Sequence, residues 1–149
     1  MHQKIMPDII SDKQSICCIT VSSTAKETAE RMADSNVAAI VVLDEDEKLI
    51  GIITERDISR RIVAKGLDAQ TTLVGDFMTK NPDTLAPGDT ALDALELMRS
   101  RQFRHLPVVE GDTVVGMVSI RDLYDSVKGE LEKNIRETEA FVFGDRYGA

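Results

Sequence analysis

Two short strings in this 149-residue chain place a hydroxyl, a guanidinium and a carboxylate at the same spacing: Thr54-Glu55-Arg56-Asp57 and Ser119-Ile120-Arg121-Asp122. A hydroxyl followed three residues later by an acid marks a helix start, where each side chain closes a free backbone amide of the first turn. One reading is therefore structural: Thr54 and Ser119 cap, and Asp57 and Asp122 sit favourably against the helix dipole. The same geometry also supports chemistry. The free N–H groups of a helix N-terminus attract phosphate, the hydroxyl adds a donor, and a short carboxylate accepts two hydrogen bonds from a ribose diol. That all three groups occur in both strings favours the binding role.

A second cluster is Phe103-Arg104-His105-Leu106-Pro107. Arg104 and His105 interrupt an apolar run, and cationic groups at the start of a buried strand need an acceptor. That acceptor is a buried ion-pair partner, water at an exposed strand end, or a phosphate gripped by the forked guanidinium of Arg104. Pro107 has no N–H for a central ladder, so it marks an edge or an opening that a flat ring can occupy. The histidines are His2 and His105, and no nucleophile–base pair, paired carboxylates or metal-ligand spacing appears. No catalytic residue, metal or catalytic cofactor is expected, and the chain is expected not to be an enzyme.

The elements that position these residues come in duplicate. Thr24-Ala25 recurs as Thr90-Ala91, Met32 as Met98, and Gly51-Ile52-Ile53-Thr54 as Gly116-Met117-Val118-Ser119. Two copies are too few for a solenoid, so they read as one pseudo-symmetric domain with two equivalent binding places. Each copy begins with a short apolar segment, Ile16–Val21 or Asp83–Ala86. A helix follows, opened by the capping pattern Thr24–Glu27 or Thr90–Asp93. Continuous apolar runs, Val37–Leu43 and Phe103–Val109, suit strands buried on both faces. A polar turn leads from each into a hairpin partner, Leu49–Ile53 or Val114–Val118. A second helix then runs from Thr54 towards Lys65, or from Ser119 towards Lys128. Each unit is β-α-β-β-α, a mixed α/β fold. The expected organisation is a paired domain over residues 1–129, with repeats at about 8–66 and 74–128. A separate C-terminal helix, Glu130–Phe143, and a loose tail complete the chain at 130–149.

The net charge of −8, with no Lys/Arg-rich run, argues against nucleic acid or an anionic membrane as partner, so any phosphate site must be built locally. No apolar run reaches the roughly 18 residues of a spanning helix, and no signal-peptide pattern is seen at the N-terminus. Cys17 and Cys18 are adjacent at an expected strand start, where neighbouring side chains point to opposite faces; this argues against a bridge between them and fits a reducing cytoplasm.

These repeats resemble a tandem pair of CBS domains, the regulatory modules named from cystathionine β-synthase. The resemblance rests on the doubled β-α-β-β-α unit, Met78-Thr79, Phe103-Arg-His-Leu-Pro107 and the Thr/Ser-x-Arg-Asp endings, and covers roughly residues 8–128. It implies two clefts between the repeats that take adenosine-containing ligands: AMP, ADP, ATP, NAD(H) or S-adenosylmethionine. One cleft would combine Thr54, Arg56 and Asp57 with Met78, Thr79, Lys80, Asn81, Arg104, His105 and Pro107. The other would combine Ser119, Arg121 and Asp122 with Ile10, Ser11, Lys13, Cys18, Ile19 and Ala38. Asp57 and Asp122 would hold ribose, while Thr54 and Ser119 would donate to phosphate. Ala38, Ala39 and Val41 stand where the second repeat has Arg104, His105 and Pro107, so the clefts are expected to differ, with weaker phosphate binding beside Asp122. The implied role is a nucleotide sensor that signals through a homodimer or a separate effector protein. The alternative is a dimerisation or assembly module with vestigial ligand sites.

Overall fold

The apolar runs form the strands expected of them, and the helices begin where hydroxyl and acid residues meet. The computed structural model describes residues 3–12 and 14–147, the last seven as backbone alone. Repeat one contains β1 (Cys18–Ile19), α1 (Ala25–Ser35), β2 (Ala39–Leu43) and β3 (Leu49–Thr54). It ends in α2 (Glu55–Asp57), which runs on as a wider helical turn over Ile58–Val63. Repeat two contains α4 (Ala91–Arg101), β5 (His105–Glu110), β6 (Thr113–Ser119) and α5 (Ile120–Tyr147). Between them lie α3 (Val74–Phe77) and β4 (Thr79–Lys80). The mixed α/β architecture and the β-α-β-β-α order are those the sequence implies.

β2 and β3 pair antiparallel, as do β5 and β6, each with one irregular step near the turn. β1 pairs parallel with β2. In repeat two the expected first strand, Asp83–Ala86, shrinks to a single parallel bridge between Leu85 and Val108. The cause is Pro107. In repeat one the Val41 amide donates to the Cys17 carbonyl. Pro107 occupies the position of Val41 and has no N–H to give, so the ladder opens beside Asp83.

Each repeat builds its own core. Ile19, Met32, Ile40, Val42, Ile53 and Ile62 form one, and Leu85, Met98, Leu106, Val108, Val118 and Leu123 the other. Each core is then closed by a segment from elsewhere in the chain. Val74 and Phe77, from the linker, pack into the first core, while Ile5 and Ile10, from the N-terminal segment, pack into the second. Two glycines make room for this exchange. A Cβ at Gly51 would lie 2.5 Å from Met78 Sδ, and one at Gly116 would lie 2.6 Å from Ile10 Cδ1. β4 extends the sheet beside β3, through Gly51–Lys80 and Ile52–Thr79. At β6 a side chain does the same work, because Gln14 Oε1 accepts from the Met117 amide at 2.7 Å.

The C-terminal expectation needs correction. There is no break between a helix ending near Lys128 and a separate one at Glu130–Phe143. α5 is one 28-residue helix, and its backbone includes Gly144–Tyr147, expected to be loose tail. Gly129 lowers helix propensity but does not terminate a helix whose flanks are both strong formers.

Candidate ligand cavity

Both short strings form complete capping boxes. Thr54 Oγ1 accepts from the Asp57 amide at 3.3 Å while Asp57 Oδ2 accepts from the Thr54 amide at 2.9 Å. Ser119 and Asp122 repeat this at 3.1 and 2.9 Å. The structural reading is therefore satisfied, at the cost of one carboxylate oxygen in each pair. The second oxygen of each Asp takes no part in the cap, and here the repeats diverge. Asp57 Oδ1 faces Arg61 Nε at 3.6 Å, and Arg61 is itself anchored by donating to the Phe77 carbonyl at 2.8 Å. Ser126 stands at the place of Arg61 in repeat two and instead hydrogen-bonds Gln3, and Asp122 Oδ1 has no hydrogen-bond or ion-pair partner among the described residues.

The two helix starts line one continuous cavity of about 890 Å³ where two clefts were expected. Its charge is concentrated. Five of the chain's ten arginines line it (Arg56, Arg60, Arg61, Arg104 and Arg121), against Glu55, Asp57, Asp83 and Asp122. Five guanidinium groups against four carboxylates leave a net positive charge there, in a chain of net charge −8. An anionic ligand therefore meets a locally cationic lining within an acidic protein.

His105 lies between the two halves. It pairs with Ser119 across the β5–β6 ladder. Burial holds its pKa below the ordinary 6.5, against the opposing pull of Asp122 and Glu55, with Arg104 lowering it further. Its neighbours thus come from both repeats: Asp122 from its own, Glu55 from the other.

Of the residues expected beside Asp57, the cavity brings together Thr54, Arg56, Thr79, Arg104 and His105. Met78 packs against Gly51, Lys80 and Asn81 are exposed, and Pro107 is buried within β5, so none of these four lines it. Of the second set, Ala38, Ser119, Arg121 and Asp122 line the cavity. Ile10 and Ile19 are core residues, Ser11 is exposed, and Cys18 is half-buried in β1, where its carbonyl accepts from Arg31 at 2.7 Å. Cys17, not Cys18, reaches the cavity. Lys13 lies outside the described residues. Sequence reasoning missed Glu55, Arg60, Arg61 and Gln14. The signal for Arg60 and Arg61 was available: they follow Asp57 by three and four residues, the helical spacing at which side chains meet.

The family model for the CBS domain matches this chain twice, at residues 7–64 and 74–129. The chain belongs to the CBS domain family. Among curated relatives, the mitochondrial CBS domain-containing protein CBSX3 of Arabidopsis thaliana is 36% identical over 129 residues, covering 84% of this chain and 63% of the relative. CBSCBSPB5 of the same plant is 38% identical over 81% of this chain, but the match is only 22% of its own length. Among solved structures, a CBS-domain protein of Burkholderia ambifaria is 31% identical with a TM-score of 0.72, covering 78% of this chain and 85% of that one. A CBS domain protein of Pyrobaculum aerophilum complexed with AMP is 29% identical with a TM-score of 0.69, covering 76% and 86%. Tandem CBS architecture thus accounts for both repeats. Among the described residues no helix is long and apolar enough to cross a membrane, and no group of His, Cys, Asp or Glu is placed to hold a metal.

Proposed function

We propose that this CBS pair is a regulatory sensor whose central cavity binds an adenosine-containing nucleotide. The observation that carries the reading is the lining: two hydroxyl–Arg–Asp helix starts and three further arginines facing one cavity. Asp122 Oδ1, without a hydrogen-bond or ion-pair partner among the described residues, takes the ribose diol. The arginines and the amides of the helix starts take phosphate. The AMP complex of the Pyrobaculum relative supports this choice of ligand class. Neutral His105 beside Asp122 and Glu55 takes up a proton when a phosphate enters, because an added anion favours its charged form. A binding role needs no catalytic base, and the output is a change in assembly or in a separate effector.

Isothermal titration calorimetry against AMP, ADP, ATP, NAD+, NADH and S-adenosylmethionine tests this reading. Asp122→Ala is expected to weaken the bound nucleotide about 10- to 100-fold, the worth of one or two charge-assisted hydrogen bonds. Asp57→Ala is expected to weaken it less, because Arg61 already occupies its outward oxygen. Silence across the panel by folded, nucleotide-free protein would leave the assembly module as the function.

A further inference from the structure

α5 is 28 residues long, and only its first turns belong to the domain. Leu123 is buried in the second core and Ser126 bonds Gln3. From Leu131 to Ala140 every residue is exposed. A single helical arm of this length in water has little to hold it, since most helical stability in proteins comes from burying an apolar face. The arm has such a face. Ile120, Tyr124, Leu131 and Ile135 are exposed, and at 3.6 residues per turn they fall within about 60° of one another. The stripe runs from the mouth of the cavity, which Ile120 lines, out along the arm.

The charges beside the stripe identify its occupant. Arg121, Lys128, Glu132 and Glu139 lie on the same flank, about 60° to 100° round from Leu131. They run basic to acidic along the chain, and each base has an acid equally far on the other side of Glu130. An antiparallel copy of the same helix centred there sets Arg121 beside Glu139 and Lys128 beside Glu132, twice over by symmetry. In a parallel pair this flank would meet the opposite one, and Glu130, Asn134 and Glu137 there would set Glu132 and Glu139 among further acids. We propose that a second copy of this chain covers the arm, with the two α5 helices packed antiparallel along the Ile120–Ile135 stripe. The pairing stands apart from the ligand reading, since Tyr124, Leu131, Ile135 and the Lys128–Glu132 pair do not line the cavity. It does bring the partner's arm to the cavity mouth through Arg121, so cavity occupancy and assembly share one residue.

The test is sedimentation equilibrium of the full chain, with circular dichroism to confirm folding. Wild type is expected to be dimeric, and Leu131→Glu with Ile135→Glu monomeric at the same concentration. Both positions are solvent-exposed beyond the domain core, so the variant is expected to stay folded. Lys128→Glu and Glu132→Lys are each expected to weaken the dimer about three- to tenfold, and the double exchange Lys128→Glu/Glu132→Lys to restore it. A monomeric wild type would overturn the proposal. So would a dimer that survives the Glu pair, or a double exchange no better than the single ones. AMP titration of the same variants separates the two readings: lost dimerisation with intact nucleotide binding leaves the sensor standing.

Discussion

The two repeats begin their second helices with the same capping box yet leave different groups for a ligand. At Asp57 the outward oxygen is held by Arg61, whose guanidinium is fixed by the Phe77 carbonyl. At Asp122 that oxygen has no hydrogen-bond or ion-pair partner among the described residues, and a serine stands where the arginine would be. The contrast lies in the carboxylates, whereas the expectation of a stronger phosphate site on the Asp57 side rests on other groups, Arg104 and His105. β5 carries His105 directly across from Ser119, so a side chain expected to serve Asp57 interacts with Asp122. Duplicated sequence thus yields one asymmetric cavity. A side chain assigned to one half by motif serves both once the sheets are in place.

The largest expected effect comes from the glycines that let each borrowed segment dock. Gly51→Ala and Gly116→Ala each force a Cβ into a neighbour less than 3 Å away, at a cost of about 1–3 kcal/mol for overpacking. The loss should be greater at Gly116. Ile10 is buried and β-branched, and Gln14 must also hold its bond to Met117, whereas Met78 is flexible. Urea denaturation of both variants measures this. Equal losses would mean that the two docking contacts are equivalent after all.

A smaller effect sharpens the carboxylate comparison. Arg61→Ala removes a half-exposed ion pair and one hydrogen bond, for a stability loss of about 1 kcal/mol. It also frees Asp57 Oδ1. In that background, Asp57→Ala and Asp122→Ala are expected to cost adenosine binding more nearly the same. An unchanged difference between them would show that Arg61 is not what separates the halves.

The smallest effect is that of pH. His105 titrates near 6.5 in the unfolded chain and lower in the fold, because burial disfavours its charged form. Between these values the unfolded chain binds the extra proton. The contribution of neutral His105 to stability is therefore complete above 6.5 and is lost as the pH falls below it. His105→Gln should flatten that acid limb in thermal melts. Phosphate binding reverses the preference, so AMP should gain on uncharged adenosine as the pH drops from about 8 to about 7, where the phosphate itself stays largely doubly ionised. Equal pH dependence for the two ligands would place the phosphate away from His105.

Local chemistry made much of this molecule legible. The apolar runs Val37–Leu43 and Phe103–Val109 contain the central strands, because buried strands need unbroken hydrophobic sequence. Thr54–Asp57 and Ser119–Asp122 announced their helix starts, because a capping box is closed within four residues. Pro107 marked an opening, because a missing donor shows in the residue type itself. The continuity of α5 was not legible, since Gly129 weakens a helix without deciding whether it ends.

Sequence by itself thus determined the repeat, its strands and helix starts, and the capping residues that line the cavity, since all of these follow from contacts between near neighbours along the chain. Tertiary structure alone decided which segment closes which core, that two expected clefts are one cavity, and that the Phe77 carbonyl anchors Arg61 beside Asp57. Those outcomes depend on groups such as Ile10 and Gly116, or Arg61 and Phe77, whose meeting is fixed by packing and leaves no trace in local pattern.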